Sequence, residues 1–120
     1  MTMADPGTAE QVFDIALRIQ LCERKYLEVN LSPDHIRVLL PPKRVLAENG
    51  SIPMSKITAF LSEMEQDHLI QAEQRGGMWT TSSGNRIIAR LLAGKYRQEA
   101  EKILGPVILE MLLQRVSARV

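Results

Sequence analysis

The stretch Ser51–Gly84, SIPMSKITAFLSEMEQDHLIQAEQRGGMWTTSSG, decides the fold that we expect for this chain. Its first half, Pro53 to Asp67, predicts a helix, because apolar residues recur every three or four positions and so form one buried stripe. Pro53 suits the first helical turn, where its missing backbone N–H has no intrahelical partner to lose. The members of the stripe are Ile57, Phe60, Leu61 and Met64.

The second half of this stretch predicts a β-hairpin. Two short segments, Leu69 to Glu73 and Met78 to Thr81, flank Arg75-Gly76-Gly77, and glycine supplies the positive φ that tight hairpin turns require. Thr81 or Ser82 can then cap a following helix. A helix followed at once by a small hairpin and a second helix is the skeleton of a winged helix-turn-helix.

Length and composition favour one domain that is mainly α with a small β-hairpin wing. The chain has 120 residues, of which 45% are apolar and 4% aromatic, so aliphatic side chains must fill the core. We predict a cytoplasmic location, because no apolar run has membrane-spanning length and the N-terminus does not resemble a secretion signal. Cys22 is the single cysteine, so neither an internal disulfide nor a cysteine-based metal cluster is expected.

A first helix is predicted to open at Thr8, which forms a capping box with Gln11, and to run to about Glu28 within an N-terminal region 8–30. Cys22 and Tyr26 lie on its predicted apolar stripe. We interpret Cys22 as a small buried hydrophobe in preference to a redox sensor, and the sequence leaves open whether it senses oxidants.

A second helix is predicted to start at Ser32-Pro33-Asp34, because serine can cap, proline fits the first position and aspartate complements the helix dipole. It should stop near Leu39, since Pro41 disfavours helical geometry at Leu40. A short helix, Lys43 to Glu48, follows and should end at Asn49-Gly50. The region 31–82 would then hold the helix-turn-helix and the wing.

The region 83–120 is predicted to form dimerisation helices. Ser83 to Leu104 reads as one long helix, Gly105-Pro106 should break it, and Val107 to about Arg119 continues as helix. The apolar stripe of this arm extends further than a small winged domain can cover, and together with the N-terminal helix it would form a dimer interface. We therefore predict a homodimer, with a monomer in which both terminal helices fold back as the alternative.

Charge is unevenly distributed along the chain. Residues 1–74 carry seven basic and eleven acidic residues, whereas residues 75–120 carry eight basic and three acidic ones. From Arg75 to Gln98 there are five basic residues and no acidic one. A one-signed stretch that begins at the wing suits a surface that faces phosphates, and a solvated basic helix face explains it equally well.

These patterns favour a DNA-binding transcriptional regulator. In a winged helix the recognition helix, here about 53–67, enters the major groove with its N-terminal half against the base edges, and the wing would span about 69–81. Lys43 and Arg44 would bind backbone phosphates, Arg75 the minor groove, and Arg86 would steer DNA if it faces the same side. The outward positions predicted to contact DNA are Ser55, Lys56, Thr58, Ala59 and Ser62.

The acids of the recognition helix favour an alternative, a winged-helix module that binds protein without binding DNA. Glu63, Glu65 and Asp67 occupy its C-terminal end, and its N-terminal half has no Arg, Asn or Gln. An enzyme is not expected, because the two histidines are far apart and no carboxylate pair or phosphate-binding loop is present. No cofactor, metal or membrane is predicted as a partner. Trp79 is interpreted as packing the wing against the core.

The order of elements resembles the MarR family of winged-helix regulators, and PadR-like and archaeal coiled-coil winged-helix proteins have similar cores. The resemblance covers roughly residues 30–90. It is carried by Leu31-Ser32-Pro33 with Arg37-Val38-Leu39, by the apolar spacing of the recognition helix, and by Thr81-Ser82-Ser83-Gly84. Where the family commonly has glycine before Leu69-Ile70, this chain has His68. The resemblance implies a homodimer and a small-molecule effector, which the sequence does not identify.

Overall fold

Seven helical segments and four short strands make up the part of the chain that the structure describes. A computed structural model describes residues 6–33, 35–73 and 77–118. None of the helices in these ranges has the length and apolar character needed to cross a membrane. In chain order the elements are α1 (Pro6–Leu17), a π-helical segment (Arg18–Arg24), β1 (Val29–Leu31), β2 (Ile36–Leu40), α2 (Lys43–Gly50), α3 (Met54–Gln66), β3 (Ile70–Ala72), β4 (Met78–Thr80), α4 (Ser82–Ala93), α5 (Arg97–Leu104) and α6 (Pro106–Ala118).

The four strands form one antiparallel sheet in the order β1-β2-β4-β3. Alternate residues of β2 are buried, because successive side chains of a strand point to opposite faces of the sheet. Its inner face meets α4, while Arg37 and Leu39 lie on the outer face. Leu39 is opposite Trp79 of β4, which in turn is opposite Gln71 of β3.

The core is built around α1, which contacts α2, α3 and α4. Phe13 and Leu17 of α1 are fully buried, and so are Leu46 of α2 and Ile57 of α3. The stripe predicted on α3 is confirmed, with Ile57, Leu61 and Met64 buried and Phe60 packed against the core. Burial of this stripe turns the opposite face of α3 to solvent.

The predicted hairpin and the cap of the following helix are confirmed. Oγ1 of Thr81 accepts a hydrogen bond from the N–H of Gly84 at 3.2 Å and donates to the carbonyl of His68 at 2.5 Å. His68 has φ +60°, the left-handed geometry that ends a helix in place of the more usual glycine. The hydroxyl of Thr81 therefore binds the backbone just after α3 and also caps the N-terminus of α4.

The helix predicted to start at Ser32-Pro33-Asp34 and to stop near Leu39 is wrong, because this part of the chain belongs to the hairpin β1–β2. Ser32 closes it: its N–H donates to the carbonyl of His35 at 3.0 Å, and its hydroxyl accepts from the N–H of His35 at 3.2 Å. Serine and proline serve turns as well as helix starts. Ile36, Val38 and Leu40 alternate with outward residues, and β-branched side chains favour this pleated geometry. The predicted role of Asp34 lies outside the described residues.

The N-terminal helix also differs from its prediction. It begins at Pro6, so Thr8 lies inside the helix instead of capping it, and Lys25 ends it with φ +54°. From Arg18 the hydrogen bonds follow the i→i+5 pattern of a π-helix, which rotates later side chains away from the α-helical phase. The prediction that Cys22 is buried is therefore wrong, because Cys22 is exposed and Tyr26 is 61% exposed.

The C-terminal arm is more broken than predicted. The long helix is interrupted at Gly94 and resumes at Arg97, and Tyr96 within this interruption is only 4% exposed. The break at Gly105-Pro106 is confirmed, with φ +84° at Gly105. The short helix α2 extends to Gly50, and the left-handed residue that ends it is Ser51 instead of Asn49 or Gly50.

Candidate nucleic-acid interface

A tight turn joins α2 to α3 and sets the direction of α3. Ser51 has φ +52°, and the N–H of Ile52 returns to the carbonyl of Ala47 at 3.0 Å. Pro53 then precedes α3 with an extended ψ of 143°, and its carbonyl accepts from the N–H of Lys56. This geometry presents the first turns of α3 on the surface.

The outward face predicted on α3 is present. All five residues expected there are exposed; four have small side chains and the fifth is a lysine. They can donate and accept hydrogen bonds at base edges or phosphates, and the alanine offers an apolar contact. Contact of this face with DNA stays a prediction. The five residues are Ser55, Lys56, Thr58, Ala59 and Ser62.

Charge changes sign along α3. Lys56 lies near its N-terminus, while Glu63, Glu65 and the adjoining Asp67 lie at its C-terminal end. The carboxylate of Glu65 is directed at the hairpin, where Oε2 accepts from the N–H of Ala72 at 3.4 Å. Because the helix dipole places partial positive charge at the N-terminus of a helix, the N-terminal end of α3 is more favourable for a phosphate than its C-terminal end.

Lys43 and Arg44 are exposed in the first turn of α2, as a phosphate contact requires. Leu40, the last residue of β2, is paired with Met78, the first residue of β4. Lys43 and Arg44 therefore lie at the end of the sheet where β3 ends and β4 begins. Arg75, predicted for the minor groove, lies outside the described residues.

Arg86 is exposed but lies elsewhere. It borders a small cleft with Ile36 and Val116, at the end of the sheet away from the β3–β4 turn. The hydrogen bond from Thr81 to His68 places the start of α4 at the C-terminal, acidic end of α3. The structure therefore does not bring Arg86 together with Lys56.

Sequence reasoning missed Arg18, which contacts the turn between α2 and α3. Its Nη2 donates to the carbonyl of Asn49 at 2.8 Å, so an exposed guanidinium from the N-terminal helix satisfies a carbonyl at the end of α2. Thirty-one positions separate the two residues, and no local pattern signals the contact. Arg18 adds a cation beside the turn that leads into α3.

An open cleft of about 560 Å³ lies between α1 and this turn. It offers no net charge to an anion, because Arg18 and Lys95 are balanced by Glu10 and Asp14. Lys95 is already engaged, since its Nζ lies 2.7 Å from Oδ2 of Asp14. The cations of this region that could bind a phosphate are therefore those that lie outside the cleft.

Asp14 joins α1 to the turn between α4 and α5. It accepts hydrogen bonds from Lys95 and from the hydroxyl of Tyr96, which also donates to the backbone carbonyl of Asp14 at 3.2 Å. Burial alone would raise the pKa of Asp14, but these two hydrogen bonds and the charge of Lys95 together hold it below its ordinary value. Burial and the neighbouring carboxylate raise the pKa of Tyr96.

Trp79 packs on the outer face of the sheet, so the prediction that it packs the wing against the core is wrong. Arg37 of β2 lies over its ring, with 5.1 Å between the guanidinium carbon and the ring centroid. Arg37 also forms an ion pair with Glu73. The two strands of the β3–β4 hairpin are thus both attached to one arginine of β2.

Within the described residues, no three His, Cys, Asp or Glu side chains are grouped so that they could hold a metal ion. Nδ1 of His35 lies 3.1 Å from the hydroxyl of Ser32, and His68 is exposed beyond the end of α3. Comparison with protein-family models, with curated proteins and with solved structures found no match.

Proposed function

We propose that this chain is a winged-helix regulator that binds double-stranded DNA, with α3 in the major groove and the β3–β4 hairpin as its wing. One observation carries the proposal: the N-terminal half of α3 presents an exposed face of small polar residues and Lys56, with the acids confined to its other end. The winged-helix assignment is supported by the order of α1, β2, α2, α3 and the β3–β4 hairpin, and by the pairing of β2 with β4.

Phosphate contacts would supply most of the affinity in this docking. Lys43 and Arg44 at the start of α2 would bind one strand of the backbone, while Lys56 would reach a guanine or a phosphate. The outward face of α3 lacks the bidentate base readers Arg, Asn and Gln in its N-terminal half. Sequence preference would therefore depend largely on DNA shape and deformability.

We further propose that the protein acts as a homodimer, so that two copies of α3 meet two half-sites. Val107 and Ile108 support this part, because they leave 79% and 41% of their surface exposed on α6. In a two-fold contact the exposed apolar pair of one copy would pack against the same pair of the other copy.

The dimer is tested by sedimentation equilibrium of the wild type and of Val107→Glu. A charge in the centre of an apolar contact is costly to bury, so the variant is expected to shift to monomer. Ala93→Glu adds the same charge at another exposed position and is the matched control. A wild type that remains monomeric at every concentration would eliminate the dimer.

DNA binding is tested by titrating a generic duplex across a salt series. Lys56→Ala is expected to weaken binding and to lower the slope of log K against log salt by about one. Arg24→Ala removes an exposed cation from the π-helical segment, outside α2, α3 and the β3–β4 hairpin, and it should leave the slope unchanged. Equal effects of both substitutions would indicate attraction by overall charge alone.

A second function, docking of a protein partner on α3, is favoured by the carboxylates at the C-terminal end of this helix. Glu65 is exposed there, and Glu63 and Asp67 are half-buried. A basic protein surface would fit this end, whereas a phosphate would be repelled. Absence of duplex binding by the wild type even at low salt would favour this function over DNA recognition.

A further inference from the structure

One arginine on the outer face of the sheet holds both strands of the β3–β4 hairpin. Nη1 of Arg37 lies 2.5 Å from Oε1 of Glu73, the residue that follows β3. The same guanidinium lies over the ring of Trp79 in β4. A planar guanidinium can bind a carboxylate at its edge and an aromatic ring at its face, which a lysine ammonium does less well.

Glu73 connects this contact to the hairpin turn. Its N–H donates to the carbonyl of Gly77 at 3.1 Å and so closes the turn. A Cβ added at Gly77 would lie 2.6 Å from Cδ1 of Leu39, so the turn is seated closely on β2. A side chain that fixes Glu73 therefore also fixes Gly77, the residue that precedes β4.

The backbone alone gives the hairpin little support. Strands β3 and β4 have three residues each, and β4 is paired with β2 only through Leu39 with Trp79 and Leu40 with Met78. Isolated two-stranded hairpins are at best marginally stable in water. Side-chain contacts to β2 therefore add to the contacts with α3 and the core that orient this hairpin.

These contacts add little to global stability. The side chains of Arg37 and Glu73 are 26% and 37% exposed, and ion pairs at such positions are weak. Nε of Arg37 is buried and has no hydrogen-bond partner in the described part of the chain, which offsets part of the gain. The main effect of Arg37 is therefore local, on the position of the hairpin.

We infer that Arg37 is a positioning residue for the wing: by holding Glu73 and Trp79 together, it keeps strands β3 and β4 in the orientation in which the hairpin contacts DNA. This inference rests on the proposed function. It assigns to Arg37 a role in affinity without contact between Arg37 and DNA.

The experiment compares Arg37→Met, Arg37→Lys and the control Arg97→Met, which removes an arginine from a surface ion pair on the remote helix α5. Trp79 is the only tryptophan, so its fluorescence reports on the hairpin without a label. In the free proteins we would measure quenching of Trp79 by acrylamide and hydrogen exchange of the Glu73 amide. In the complexes we would measure duplex affinity across a salt series.

Arg37→Met is expected to increase quenching of Trp79 and exchange of the Glu73 amide, and to leave the urea midpoint of unfolding nearly unchanged. Duplex affinity should fall about 3- to 10-fold, because the hairpin must then be reoriented on binding, and the salt slope should decrease. Arg37→Lys should recover part of each effect. Arg97→Met should change none of them.

Unchanged quenching and exchange in Arg37→Met would overturn the positioning role. Altered quenching with unaltered duplex affinity would also overturn the inference, because the position of the hairpin would then be irrelevant to binding. A wild type that binds no duplex would refute the proposed function and the DNA part of this inference. The measurements on the free proteins would still decide whether Arg37 positions the hairpin.

Discussion

The hydroxyl of Thr80 donates a hydrogen bond of 2.5 Å to Oδ1 of Asn85, and both side chains are buried. The same hydroxyl accepts from the N–H of Val38 at 2.9 Å, while Nδ2 of Asn85 donates to the carbonyl of Ile36 at 2.6 Å. The two side chains therefore join β4, α4 and β2 in the interior, where every polar group needs a partner.

Substitution of Asn85 by alanine should destabilise this junction of β2, β4 and α4. We expect Asn85→Ala to lower the free energy of unfolding by about 2–4 kcal/mol, because the hydroxyl of Thr80 and the carbonyl of Ile36 lose buried partners. Urea denaturation measures the change. Asn30→Ala, at an exposed position of β1, is the matched control and should stay within about 0.5 kcal/mol of the wild type. A loss of the same size in both variants would contradict the role of the buried network.

Gly84 allows α4 to approach the end of α3, and alanine should not fit there. A Cβ on Gly84 would lie 2.1 Å from the carbonyl oxygen of Leu69, which belongs to the backbone and cannot rotate away. Gly84→Ala should therefore lower the free energy of unfolding by about 3 kcal/mol despite the higher helix propensity of alanine. Ser83→Ala, an exposed neighbour in the same turn, serves as the control. A thermal midpoint of Gly84→Ala equal to that of the wild type would show that this close approach is absent.

Asp14 should make the stability of the protein depend on acid pH. Its pKa is lowered in the folded state from the ordinary 3.8, so its contribution is present above that pH and is lost as the pH falls through the folded value. The difference in unfolding free energy between the wild type and Asp14→Asn should therefore shrink below about pH 4. Tyr96→Phe removes one hydrogen bond to the carboxylate and should reduce the same pH dependence. A difference that is constant from neutral to acid pH would argue against the ionised carboxylate.

The thiol of Cys22 should react readily in the folded protein. Because Cys22 is exposed at the end of the π-helical segment, a chromogenic disulfide reagent is expected to modify it at nearly the same rate in buffer and in denaturant. The Cys22→Ser variant should give no signal, since the chain has one cysteine. Strong protection of the thiol in buffer alone would restore the buried position that the sequence suggested.

The sequence determined those parts of the fold whose signals are local. The apolar stripe of α3 lies within one helix, strands β3 and β4 lie within one hairpin, and the cap of α4 lies within four residues, Thr81 to Gly84. Such signals act between neighbours in the chain, so they survive without knowledge of the tertiary contacts. For the same reason the outward face of α3, including Lys56, could be predicted from the pattern of its buried face.

Where a local signal competes with a distant partner, the conformation of the segment depends on the tertiary structure. Ser32-Pro33 can start a helix or a turn, and Val38 becomes part of a strand because it bonds to Thr80, 42 positions away. The contact of Arg18 with Asn49 and the separation of Arg86 from Lys56 likewise depend on how distant elements pack. Long-range burial and hydrogen bonding outweigh local propensity at these positions, and a sequence pattern does not contain them.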